Sequence, residues 1–252
     1  MSSDKDMALF DHIGELRKRL IWVLVFLIIG MAVGLYIAKP VLLYLQQLPP
    51  ANGMKWHVFS PWDSLRLYMS FALVIGFIVT MPVLMYHLWA FVSPGLRDVE
   101  RGAALMYMPF AVVLYLLGLA FGYFVVFKMA FHFSTSIAGN LQVEETYGAA
   151  QYFSFMFNII IPLSILFELP IVVMFLTKIR LLNPARLAKF RKLAYMVLVI
   201  LAAVITPPDA ISAILVFVPM VVLYEFSVLL SGIIHRKQLV VDAAWEQEYG
   251  AK

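Results

Sequence analysis

Cysteine is missing from all 252 residues, which excludes a disulfide framework, a thiolate metal site and a cysteine nucleophile. Charge is scarce as well: Asp, Glu, Lys and Arg make up 13% of the chain, against about 25% in an ordinary soluble domain. There is no H-E-x-x-H and no Cys/His cluster, so neither a metal nor a cofactor is expected. There is no G-x-S-x-G elbow, no Gly-x-Gly-Asp and no P-loop, so neither intramembrane hydrolysis nor nucleotide hydrolysis is expected. Low-complexity segments and internal repeats are also lacking. The formal charge of +4 is too small to suggest nucleic acid as a partner. These absences point away from an enzyme.

Apolar length is what the chain has instead. Hydrophobic residues make up 63% of it and its mean hydropathy is +0.90. Runs such as LIWVLVFLIIGMAVGLYIA are continuous rather than alternating, which indicates bilayer-spanning helices and not a β-barrel. Six spans are expected, over residues 20–38, 67–89, 107–131, 152–176, 193–205 and 210–231. The fifth would be only about 20 Å long. Residues 1–237 then form one six-helix membrane domain, and residues 238–252 a polar tail. Lys and Arg set the orientation: 15 lie on the N-terminal side of the bilayer, 3 on the opposite side and one, Lys128, near a span end. By the positive-inside rule both termini are cytoplasmic. The first 19 residues are polar, with four acids and four Lys or Arg, so no cleavable leader is expected.

Between the first two spans, PPANG is flanked by KPVLLYLQQL and SPWDSLRLYMSF. Each flank is compatible with a helix, so partly ordered outer loops that cap the bundle are expected. Pro82, Pro109, Pro162, Pro170 and Pro219 fall inside spans, where each removes a backbone hydrogen bond and bends its helix. Pro207, Pro208 and Asp209 form a tight outer turn: the prolines end the fifth helix and Asp209 N-caps the sixth.

Carboxylates at unusual depths are the candidate site residues. Glu168, in IIIPLSILFELPIVVMFL, lies far from either end of the fourth span. A charge there costs about 2.5–3.5 kcal/mol on insertion scales, so a protonated carboxyl bonded to a polar partner is expected, with Asn158 in the same polar patch. Glu225 lies nearer the cytoplasmic end of the sixth span, where snorkelling or pairing with a basic residue suffices. His87 and His132, near span ends, read as interfacial hydrogen-bonders.

Glu15 in HIGELRKRL and Glu100 in FVSPGLRDVER stand at two cytoplasmic entry points. A fixed carboxylate there would hold an incoming guanidinium. Glu15 also pairs with Arg19 at helical spacing for roughly 0.3–0.5 kcal/mol, and Glu100 with Asp98 suits the start of the third helix. Spacing alone leaves both readings open.

HIGELRKRL before span one, WAFVSPGLRDVER after span two, FELP in span four and TPPD between spans five and six together closely resemble TatC. That family supplies the multi-span receptor subunit of the twin-arginine protein translocase, and the resemblance runs from about residue 8 to residue 237. It implies an all-α, cup-like six-helix bundle whose last two helices are short. It also implies a signal-peptide site at the cytoplasmic surface, in which Glu15 and Glu100 recognise paired arginines, with Arg17 in the E-L-R motif and Phe91, Pro94 and Leu96 shaping the loop. Glu168 would then meet single-span TatA and TatB partners, and Asp209 would be the acid of the outer hairpin. The implied setting is the bacterial inner membrane, with self-association in a larger complex and transport driven by the proton-motive force. The competing reading is a proton-coupled secondary transporter titrating Glu168, although its inverted repeats are not detectable.

Overall fold

The computed structural model describes residues 2–92, 107–141, 145–206 and 210–249. For residues 2–13, 92, 107–108, 241 and 243–249 only the backbone is described. These segments are mostly helical: α1 Ser2–Gln46, α2 Pro61–Val92, α3 Tyr107–Phe121, a π-helical turn Gly122–Phe127, α4 Lys128–Asn140, α5 Ala149–Leu166, α6 Leu169–Lys178, α7 Pro184–Lys189, α8 Arg191–Ile205 and α9 Ala210–Tyr249. No strand occurs among the described residues, only an isolated bridge between His57 and Gly148. Among the described residues, five segments are long and apolar enough to cross a bilayer: Gly14–Gln46, Pro61–Phe91, Pro109–Asn140, Ala149–Lys178 and Ala210–Val240. The chain is a multi-pass membrane protein. The fifth expected span corresponds to α8, whose 15 residues make about 22 Å of helix.

Several helices overrun their expected ends. Both flanks of PPANG belong to helices continuous with the first two spans, and α1 runs to Gln46 through Pro40. The third segment continues past Phe131 to Asn140 by way of the π turn. The final helix is not short: α9 has 40 residues, because nothing after Pro219 breaks it and IIHRKQLVVDAAWEQEY is composed largely of good helix formers. The fourth span divides in two. Pro170 occupies the first turn of α6 and, lacking an N–H, cannot bond the carbonyl of Leu166. Phe167 and Glu168 therefore form a turn between α5 and α6.

The chain forms two compact units, residues 1–112 with 134–158, and residues 113–133 with 159–252. In the first unit α1 packs against α2 through glycines. A Cβ on Gly34 would lie 2.7 Å from the carbonyl oxygen of Ala72, and one on Gly30 would lie 3.0 Å from Cα of Gly76. Only a missing side chain lets the two backbones approach this closely, and in lipid such contact supplies much of the attraction between helices. The N-terminus of α2 is closed by a capping box. Asp63 Oδ2 accepts from the backbone N–H of Ser60 at 3.1 Å and of Phe59 at 3.2 Å, with Pro61 as the first helical residue. Next to it, His57 N donates to Tyr147 O at 3.2 Å and Ala149 N donates to His57 O at 3.0 Å. These bonds tie the loop between α1 and α2 to the described part of the loop between α4 and α5. Trp56 stacks on Phe153 at 5.6 Å, which meets Phe71 edge-on at 5.1 Å, so an aromatic cluster underlies the junction. Burial and the adjacent Glu145 push the Tyr147 phenol up to about 12, keeping it a neutral donor.

The second unit repeats the glycine device. A Cβ on Gly118 would lie 2.7 Å from Cα of Ser164, and one on Gly122 would lie 3.2 Å from Cα of Ile160. On α9 a stripe at helical spacing faces inward. Tyr224 Oη donates to Leu187 O at 2.9 Å, Ser231 Oγ lies 2.7 Å from Thr177 Oγ1, and Gln238 Nε2 donates to Lys178 O at 2.7 Å. The last bond satisfies a carbonyl at the C-terminus of α6. This docking onto α6 and α7 holds the C-terminal half of α9 against the unit. The α7 helix starts at Asn183, whose side chain accepts from Ala185 N at 2.9 Å, followed by Pro184, a regular N-cap.

Candidate functional site

The antiparallel register of α1 and α2 carries the geometry around Glu15. Gly30 meets Gly76 and Gly34 meets Ala72, so each step back along α1 is matched by an equal step forward along α2. Eleven residues from the glycine contact, about three turns, Arg19 comes opposite His87; fifteen residues away, Glu15 comes opposite Phe91. Burial follows the same line. On α1, positions 15, 19, 23, 27, 30, 34 and 38 are less exposed than most of their neighbours, which is the spacing of a single helix face.

Within this stripe one carboxylate oxygen of Glu15 is engaged. Arg19 donates to Glu15 Oε1 through Nε at 3.1 Å and through Nη2 as well, with the Arg19 side chain 22% and the Glu15 side chain 34% exposed. The pair expected from spacing thus exists, and it sits on the α2-facing side of α1 rather than on the outer side. Arg17 is exposed on the same helix and Phe91 is half-buried near the end of α2. Glu100, Pro94 and Leu96 lie outside the described residues. So do Pro207, Pro208 and Asp209.

Glu168 is the second candidate. Its residue is only 2% exposed, and neither carboxyl oxygen has a hydrogen-bond partner among the described residues. The expectation of a bonded carboxyl is therefore not met among the described residues, where the Ser164 hydroxyl one turn away is engaged elsewhere. Ser164 Oγ donates to Ile161 O at 2.8 Å. Asn158, expected in the same patch, is exposed. Glu225 behaves as expected: Arg191 grips it with two bonds of 2.9 Å, and Tyr195 Oη donates to it at 2.5 Å. Such a forked guanidinium–carboxylate pair needs no further partner.

No group of three or more His, Cys, Asp or Glu that could hold a metal occurs among the described residues. Two features go beyond the sequence reading although the chain carries a signal for each. Gly30–Gly34 and Gly118–Gly122 are both G-x-x-x-G motifs, the known spacing for close helix approach in membranes. His87, expected as an ordinary interfacial hydrogen-bonder, instead has its Nδ1 buried without a hydrogen-bond partner among the described residues.

Residues 11–219 match the family model described as TatC, Sec-independent protein translocase protein. The Sec-independent protein translocase protein TatC of Halalkalibacterium halodurans is 43% identical over 98% of this chain and 98% of its own length. TatCy of Bacillus subtilis is 41% identical over 94% of each chain. A crystal structure titled as the twin-arginine translocase receptor TatC superposes with a TM-score of 0.77, at 30% identity over 88% of this chain and 99% of that one. The register and the four sequence motifs thus belong to a known membrane architecture, and this chain is a member of the TatC family of Sec-independent protein translocase proteins.

Proposed function

We propose that this translocase protein is the receptor that binds Arg-Arg signal peptides of folded cargo at the cytoplasmic face of the bacterial inner membrane. In this reading Glu15 and Glu100 hold the two guanidiniums, while Phe91, Pro94, Leu96 and Arg17 shape the surrounding surface. Each charge-assisted bond contributes on the order of 1.5–3 kcal/mol. Six crossings, including the short α8, put both termini in the cytoplasm, consistent with 15 basic residues on that side against 3 on the other. The apolar part of the signal then enters the bilayer, and single-span partners of the TatA and TatB type assemble near Glu168. The complex contains further copies of the chain and is driven by the proton-motive force.

The observation that carries the reading is the α1/α2 register, with Glu15 and Phe91 at one end of one helix pair. Cross-linking of an Arg-Arg signal peptide to the full chain is the test. Glu15→Ala with Glu100→Ala should abolish cross-linking, and a Lys-Lys peptide should bind the unaltered chain more weakly, because lysine cannot make the forked contact. Undiminished cross-linking to a folded double variant would reject the site. Glu168→Ala should retain signal binding and lose recruitment of single-span partners.

A further inference from the structure

We infer that Arg19 is a built-in competitor for the signal peptide: its guanidinium occupies the Glu15 carboxylate when no signal is bound and moves to Nδ1 of His87 when a signal arginine displaces it. The inference rests on the receptor reading and adds regulation to that same site. Glu15 is the residue to which a signal guanidinium would bind, yet one of its oxygens already accepts two donors from Arg19. A peptide arginine therefore meets a carboxylate with one oxygen already engaged. A guanidinium four residues away on the same helix is always close at hand, so it competes as a permanently tethered ligand.

Displacement needs a second resting place for Arg19, since a half-buried guanidinium left unpaired is unfavourable. His87 supplies one. It lies opposite Arg19 in the α1/α2 register, and its Nδ1 is buried without a hydrogen-bond partner among the described residues. In the Nε2–H tautomer Nδ1 is a lone-pair acceptor, suited to an arginine N–H. Arg19 thus has two acceptors, Glu15 and His87, and the signal peptide shifts it from the first to the second. The apparent affinity for any ligand of Glu15 is lowered by the fraction of chains in which Arg19 is off the carboxylate. That factor is the same for every competing ligand, so Arg19 sets the threshold for binding and leaves Arg-versus-Lys preference to the carboxylates.

Binding of a fluorescent Arg-Arg peptide to the full chain in nanodiscs tests this, with a Lys-Lys peptide measured in parallel. Arg19→Gln should tighten both peptides by the same factor, about 2- to 5-fold for a pair of this exposure. Lys18→Gln, which removes a charge from an exposed neighbour, should give a smaller change. His87→Leu should weaken binding about 2-fold or more when Arg19 is present and have no effect in the Arg19→Gln background; His87→Gln, which retains an acceptor, should stay near the unaltered chain. Weaker binding in Arg19→Gln would mean that Arg19 positions Glu15 or contacts the peptide, and would overturn the inference. So would an unequal effect on the two peptides, a gain equalled by Lys18→Gln, or an effect of His87→Leu in both backgrounds. If Arg19→Gln does not fold, Arg19→Lys should give the same gain at smaller size, and no gain there would also refute it. Glu15→Gln separates the two levels: if it leaves peptide binding intact, the receptor reading itself fails; if it abolishes binding while Arg19→Gln gains nothing, only the competitor fails.

Discussion

The two compact units use one packing device and treat their candidate carboxylates in opposite ways. In each, a G-x-x-x-G pair brings two helices into backbone contact, Gly30 and Gly34 against Ala72 and Gly76 in the first, Gly118 and Gly122 against Ile160 and Ser164 in the second. In the first unit Glu15 lies at the end of an apolar span and is held by its own Arg19. In the second, Glu168 is almost fully buried and its carboxyl has no hydrogen-bond partner among the described residues. Glu225 in that same unit shows that the second unit can satisfy a carboxylate, with Arg191 and Tyr195. Under the proposed function, these are two ways of keeping a carboxylate available for a partner. A weak internal pair at the surface is readily exchanged, whereas a carboxyl at a helix break, with the neighbouring Ser164 hydroxyl already bonded, stays open for an incoming group.

Four tests probe that contrast. The largest effect is expected from Glu168→Lys, which puts an unpaired cation into the fourth span at a cost of roughly 3 kcal/mol on insertion scales; a sharp loss of folded protein after detergent extraction would register it. Gly34→Val and Gly118→Val should each destabilise by about 1–3 kcal/mol, because the added atoms meet backbone that cannot move aside. Gly139→Val, where a Cβ would have nothing within 4 Å, is the control in the same thermal unfolding assay. Glu168→Leu should raise the melting temperature, removing an unsatisfied buried group worth about 1–2 kcal/mol, while partner recruitment is lost. A lowered melting temperature would mean that Glu168 is held by bonds within the unit, and the contrast would fall. The smallest effect is expected for Glu15→Gln, under about 0.5 kcal/mol in the same assay, so that any loss of signal binding reflects recognition and not folding.

Much of the fold is legible in the amino-acid order alone. Composition identifies a helical membrane protein, and four motifs in fixed order point to its family. The helix break at Glu168 is implicit in Pro170, yet a continuous span is the expectation, since a proline two residues on can either bend a helix or end it. The extent of α9 is not legible, because the polar sequence after Ser231 resembles a tail. It remains ordered through Tyr224, Ser231 and Gln238, which bond partners on α6 and α7 or the turn between them. For Glu168 the sequence indicates desolvation correctly, but the bonded carboxyl it suggests is not met among the described residues, where the Ser164 hydroxyl is already committed to Ile161.

By itself the sequence determined apolar helices, their order and the family, because each depends on local composition or on neighbours along the chain. Only the tertiary structure decided which face of α1 meets α2 and that Arg19 therefore looks across to His87. It also decided that Glu168 is buried without a hydrogen-bond partner among the described residues, whereas Glu225 is bonded to Arg191 and Tyr195. Those outcomes depend on backbone contacts between segments distant in sequence, where a glycine's missing side chain sets the register for every residue along the pair.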